Sequence, residues 1–301
     1  MDENEDDSVS RWSLNRKPCS ESFRRTQLKD QPVKKICSLL ALAGALSTST
    51  IAHAQFASGV TSYSEGNGVE AGFNDPTSAL GAPSTQTVDP DPIYGGTFPV
   101  DPFDAPYLPN QITGVGTGGS LTLRFNTPIQ NNPNNPFGVD FIIFGHAGFI
   151  EDFSTGTAVD GSFYTGGTSD VRVSVSADGK TFYTLNPSLT PAVDGLFPTD
   201  GTGNPFLPVN PALTAADFAG QDLAGIRALY SGSAGGAGFS VAWAIDSNGQ
   251  SVYFPSVDYV RLDVLSDGTP AYIDAISVVP EPATLTLAMA GAGWFLLRRR
   301  A

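Results

Sequence analysis

The chain has 301 residues, enough for one large domain or two small ones with a substantial core. With 33 Gly, 23 Pro and only 15% charged residues, it suits a turn-rich β protein and argues against a helical bundle, whose surface needs many more Lys and Glu. Hydrophobic residues at 41% and aromatics at 10% argue equally against disorder.

The formal charge of -14 is unevenly placed. Between Gln55 and Pro282, five basic residues (Arg124, Arg172, Lys180, Arg227 and Arg261) stand against 23 acidic ones, a net charge of -18. Such a body repels phosphate backbones, which excludes nucleic acid as a partner. The same stretch holds no sulfur: Cys19 and Cys37 precede it and Met289 follows. Disulfides, thiolate metal sites and cysteine nucleophiles are therefore excluded from it.

In chain order, the first 33 residues are polar and charged, unlike a signal n-region, and are expected to be an extension outside the native chain. Val33-Lys34-Lys35-Ile36 would then read as a GTG-initiated start. Lys34 and Lys35 open a mainly apolar run that closes on Ala52-His53-Ala54. That is the pattern of a secretory signal peptide over 34–54, its helix cleaved between Ala54 and Gln55.

Strand alternation then recurs at 120–126, 139–144, 171–176, 181–185, 239–245, 259–264 and 272–278. Asp178-Gly179 and Asn248-Gly249 are turn signals. Segments 88–109, 127–136 and 186–211 read as Pro-, Gly- and Asn-rich loops, and 214–225 reads as the single helical turn of the body, capped by Thr214. The expected architecture over 55–279 is an all-β antiparallel sandwich or jelly roll. A final apolar helix over 283–297, about 22 Å long against a hydrocarbon core of about 30 Å, ends in Arg298, Arg299 and Arg300.

The tail, Pro280-Glu281-Pro282 followed by the apolar span and the Arg cluster, resembles the PEP-CTERM sorting signal of Gram-negative bacteria that make exopolysaccharide. The resemblance implies recognition by a membrane exosortase after signal peptidase has acted, a membrane-anchored precursor, and a mature protein at the cell surface or outside the cell. The ordered segments 73–83, 119–125, 139–144, 171–182, 257–262 and 273–278 look like bacterial cell-surface proteins with a galactose-binding-like, discoidin-type jelly roll. The chain departs from that pattern where the strand at 139 runs into Phe144-Gly145-His146-Ala147 in place of an acidic residue.

For chemistry, His146 is the sole His of the body, and no G-x-S-x-G elbow, P-loop, dinucleotide fingerprint or H-E-x-x-H occurs. The expected protein is not an enzyme. The second resemblance implies a structural Ca²⁺ held by Asn74, Asp75, Ser78 and Asp274; Asp75 also reads as the cap of its own turn. Tyr94, Phe98, Phe103 and Tyr107, in an acidic loop with Asp89, Asp91, Asp101 and Asp104, are candidates for stacking on sugars or for packing onto the sandwich. Trp243 reads as core. The expected function is a non-catalytic, polysaccharide-interacting surface protein; a structural or adhesive matrix component and a secreted carbohydrate-active hydrolase are the alternatives.

Overall fold

The computed structural model describes residues 55–89, 95–166, 170–265 and 269–281. The expected extension, the signal peptide with Ala52 and Ala54, Tyr94, and the tail from Pro282 through Arg298, Arg299 and Arg300 lie outside these residues. Among the described residues no helix is long and apolar enough to cross a membrane.

The body is all-β, and every pair of strands is antiparallel. One sheet runs in the order β1 (Gln55–Phe56), β15 (Ala271–Val278), β7 (Phe141–Gly145), β12 (Ala237–Phe239), with β5 (Thr113–Val115) also paired to β15. The other runs β13 (Ala244–Ile245), β11 (Tyr183–Leu185), β10 (Val171–Ser176), β14 (Ser256–Val264), β6 (Ser120–Gln130), β2 (Gly59–Ser64). Two ribbons stand apart: β3 (Gln86–Asp89) with β4 (Gly96–Pro99), and β8 (Gly148–Asp152) with β9 (Thr157–Thr165).

The two sheets share one core, which makes them the layers of a sandwich. Leu121, Leu123, Val175 and Val260 of the six-stranded sheet join Phe141, Ile143, Phe239, Ile273 and Ile276 of the other in a single buried cluster. Each fully buried Leu, Ile or Phe contributes about 1.5–3 kcal/mol relative to exposure. Phe141 and Phe239, on adjacent strands, stack at 5.5 Å.

A satellite core gathers Phe103, Phe149, Phe197, Phe218, Ile226 and Tyr230 under α1 (Ala215–Phe218) and α2 (Leu223–Tyr230). Asp217 accepts from the Thr214 N–H at 2.7 Å and hydroxyl at 2.9 Å, as a reciprocal cap should. Asp222 accepts from Gly225 N–H at 2.7 Å and starts the second helix. The single expected turn is thus two helices, each with its own acidic cap.

Other differences have local causes. The strand expected over 239–245 is broken by a 3₁₀ turn, Val241–Trp243. Buried Asp140 accepts from Val241 N–H at 2.8 Å and from the Ser240 hydroxyl at 3.1 Å, which bends the chain there. Asp140 also accepts from Asn132 N–H at 3.0 Å and the Asn135 side chain at 3.1 Å, so the Asn-rich segment is a structural clamp. Burial pushes the Asp140 carboxyl up, against these donors. Residues 127–130, expected in a loop, continue β6, and 88–109 contains most of the β3–β4 ribbon. The strand at 171–176 is found as expected, but the connection to β11 is longer than the expected tight turn, since β11 begins at Tyr183, and it is held by Asp178, which accepts from Lys180 and Thr181 N–H, both at 2.9 Å.

Candidate binding cleft and buried carboxylates

Between the two ribbons and the loop after β4 lies a cleft of about 420 Å³, within the range of small-ligand sites. Thr87, Val88 and Phe98 come from the first ribbon, Asp104, Ala105 and Tyr107 from the loop, Tyr164 and Thr165 from the end of β9. Thr87 and Phe98 are cross-strand partners. Thr87 is buried, and its Oγ1 has no hydrogen-bond partner among the described residues.

The aromatic walls are held in place. Tyr107 is 44% exposed, leans on Phe73 at 5.7 Å and donates its hydroxyl to Glu70 at 3.1 Å. That hydrogen bond, then burial and the Glu70 charge, push the phenol up. Tyr164 is 55% exposed, but its hydroxyl is packed and accepts from Ala105 N–H at 3.1 Å. Its ring lies over Gly148, where a Cβ would stand 2.4 Å from it. Only glycine leaves room for it there.

The loop itself is a tight Asp-Pro-Phe-Asp turn. Asp101 and Asp104 exchange backbone hydrogen bonds at 3.2 and 3.1 Å, and the Asp101 carboxylate accepts from Phe103 N–H at 2.8 Å. This turn presents Asp104 to the cleft and sinks Phe103 into the satellite core. Of the four aromatics expected to stack on sugars, the cleft therefore brings together Phe98 and Tyr107; Phe103 is core. Tyr164 was not anticipated, because the Gly- and Asp-containing segment 157–165 carries little strand signal.

Three of the four expected Ca²⁺ ligands, Asp75, Ser78 and Asp274, have other partners. Asp75 Oδ1 accepts from Thr77 N–H at 2.9 Å and hydroxyl at 2.7 Å, and caps the 3₁₀ turn Pro76–Ala79. The Thr77 bonds hold its carboxyl below the ordinary range. Ser78 donates to the Pro109 carbonyl at 2.8 Å, and Asn74 is exposed. Asp274 is buried, sits where the β15–β7 register skips between Ile273 and Ala275, and accepts from Ser84 N–H at 2.8 Å and hydroxyl at 3.0 Å. Desolvation, only partly offset by Ser84, raises its pKa to about 7. Among the described residues no group of three His, Cys, Asp or Glu is gathered to hold a metal.

His146 is buried against buried Asp194, whose carboxylate meets Nδ1 and accepts the His146 N–H at 2.8 Å. The ring packs on Tyr272 at 4.6 Å. Asp200, also buried, takes Arg227 in a two-pronged pair at 2.7 and 3.1 Å and accepts from Thr202. Burial pushes this carboxyl up, but Arg227 and Thr202 outweigh it and hold it low. Trp243 is partly buried against the main core.

No protein-family model matches the chain, and none of the curated proteins is similar to it.

Proposed function

We propose that this protein is an exported, surface-associated sandwich of galactose-binding-like jelly-roll type, without catalytic activity, whose cleft engages extracellular polysaccharide. The observation that carries the reading is the pairing of Tyr107 and Tyr164, both large and exposed, beside Phe98 and the polar Thr87 and Asp104 in one cleft. Aromatic faces with a few fixed polar groups are what a pyranose ring requires. A non-catalytic role is favoured by His146, which is consumed by Asp194 in the interior and lines no part of this cleft.

Export and processing at both ends rest on the signal-like segment before Gln55 and on the tail from Pro280. The strand register is compatible with both cleavages: Gln55 is opposite Val278, so the two processing points leave the fold side by side at one sheet edge. Signal peptidase and an exosortase are the proposed partners in processing, with transient anchoring in the inner membrane by the C-terminal apolar segment. The test of the cleft is a calorimetric titration of the protein with its host's exopolysaccharide, alongside Tyr107→Ala and Tyr164→Ala. Saturable binding that each variant weakens about tenfold supports the reading. No binding by the parent protein would leave a purely structural matrix role.

A further inference from the structure

We infer that the end of the sandwich from which the chain leaves toward its apolar tail is a bilayer-docking face, with Phe137 as the residue that enters the lipid interface; this rests on the membrane-anchored precursor proposed above. Val279 follows β15 and donates its N–H to the Asp140 carbonyl at 2.9 Å, so it lies against the segment that leads into β7. Val139 and Val279 belong to one small buried cluster. Ala283, where the apolar segment 283–297 begins, is four residues on from Val279, a reach of at most about 14 Å. Gln55 is opposite Val278, so the apolar run that precedes it leaves from the same sheet edge. An anchored body is therefore held with this end close to the bilayer.

What this end presents suits a lipid surface. Phe137 is 55% exposed, and its backbone stands in the left-handed region at φ 57°, which a bulky residue adopts only under strain. Leu189 is 52% exposed, and the two line one groove of about 310 Å³ with Val139, Leu196 and Trp243. No charged residue lines this groove, and none occurs in 127–139 or 185–193, in a body whose net charge is -18. An uncharged border lets the apolar side chains enter the headgroup layer without burying a charge or repelling anionic lipid. A second copy of this chain would instead bring its own charge of -18 against the first. The saccharide cleft lies toward the other end of the strands: Tyr107 reaches Tyr272, at the start of β15, through Phe73 at 5.7 and 5.6 Å. Docking at the exit thus leaves that cleft clear of lipid.

The test is hydroxyl-radical footprinting, read by mass spectrometry, of the full chain reconstituted into vesicles of phosphatidylethanolamine and phosphatidylglycerol. Phe153, 92% exposed on the ribbon that follows the far end of β7, is the internal standard. Relative to Phe153, Phe137 and Leu189 are expected to be oxidised at least about threefold less than in the same chain carried by an amphipathic polymer without lipid. Asn tolerates positive φ, so Phe137→Asn keeps the turn while removing the aromatic ring. It is expected to stay on the vesicles through its tail, with Leu189 returning to its lipid-free oxidation. Flotation with the vesicles but undiminished oxidation of Phe137 and Leu189, or protection of Leu189 that survives in Phe137→Asn, overturns the docking face while membrane anchoring stands. A chain that does not float with the vesicles overturns both.

Discussion

Ser84 offers both its N–H and its hydroxyl to Asp274, and among the described residues this single residue is what the buried carboxyl relies on. The pair ties the segment after the first 3₁₀ turn to the bulge of β15, so a surface segment and the central strand of one sheet share a titratable contact. Two donors are too few to compensate a carboxylate that is 2% exposed.

The consequence is a stability that falls as pH rises. The folded-state pKa of Asp274 is about 7 against an ordinary 3.8, so the native protein binds this proton more tightly than the unfolded chain does. Its contribution is present in full below the unfolded pKa and is lost as pH rises through about 7, a loss on the order of 4 kcal/mol. Asp274→Asn keeps an acceptor for Ser84 and carries no charge. Melting followed from mildly acidic to mildly alkaline pH should show a falling midpoint for the parent and a flatter profile for the variant. A parent midpoint that rises over this interval, or an unchanged slope in the variant, would refute the assignment.

Asp75 behaves differently, because both of its hydrogen bonds are local and its carboxyl is exposed. Asp75→Ala removes the cap of Pro76–Ala79 and should lower the melting midpoint by the same amount in EDTA and in Ca²⁺. A Ca²⁺-dependent upward shift in the parent that the variant loses would instead restore Asp75 to a metal site.

The parts of this fold legible in the sequence are those where one physical signal acts alone. Residues 171–176 bury Val173 and Val175 against the core and β10 is found as expected, whereas its connection to β11 is longer than the expected tight turn: pairing closes at Val175 with Tyr183, and of Asp178 and Gly179 only the glycine takes a positive φ. At 241–245 the alternation of Val241, Trp243 and Ile245 imitates a strand, but Asp140, a hundred residues earlier in the chain, captures the backbone and makes a 3₁₀ turn. Such a long-range capture leaves no local trace. The cleft divides in the same way. Phe98 and Tyr107 stand out because aromatics are unexpected in an acidic loop, whereas Tyr164 matters only through its seat on Gly148, a contact made by tertiary pairing of β8 with β9. Phe103 carries the same composition signal as its neighbours, but the Asp101 turn points it inward.

Asp194 anchors the middle of the five-stranded sheet to the long 186–211 segment. Its carboxylate serves His146 at two atoms and approaches Tyr272 N–H at 3.4 Å, while a Cβ at Gly145 would come within 2.2 Å of its Oδ1. Asp194→Ala leaves His146 and these N–H groups buried without an acceptor and should cost about 3 kcal/mol. Gly145→Ala drives the same carboxylate from its seat and should cost a similar amount. The two losses converge on one interaction, so the double variant should be less destabilised than the sum, by at least about 1 kcal/mol in urea unfolding. Strict additivity would show that the Gly145 contact and the His146 pair are separate.

Gly148→Ala tests the wall of the cleft through its support. The added methyl would meet Tyr164 Cε1 at 2.4 Å, and the ring, 55% exposed, has solvent to move into. The satellite core beneath, with Phe149 stacked on Phe163 at 5.3 Å and on Phe218 at 5.1 Å, does not depend on where that ring lies. Stability should fall by about 1–2 kcal/mol, because the swing takes the Tyr164 hydroxyl away from the N–H of buried Ala105. Saccharide binding should weaken about tenfold, as it does for Tyr164→Ala, because one wall of the cleft has swung away. Combining Gly148→Ala with Tyr164→Ala should then add no further loss of affinity. Parental affinity in Gly148→Ala would mean that Tyr164 forms no part of the binding surface, and the ligand would have to be sought along Phe98 and Tyr107 alone.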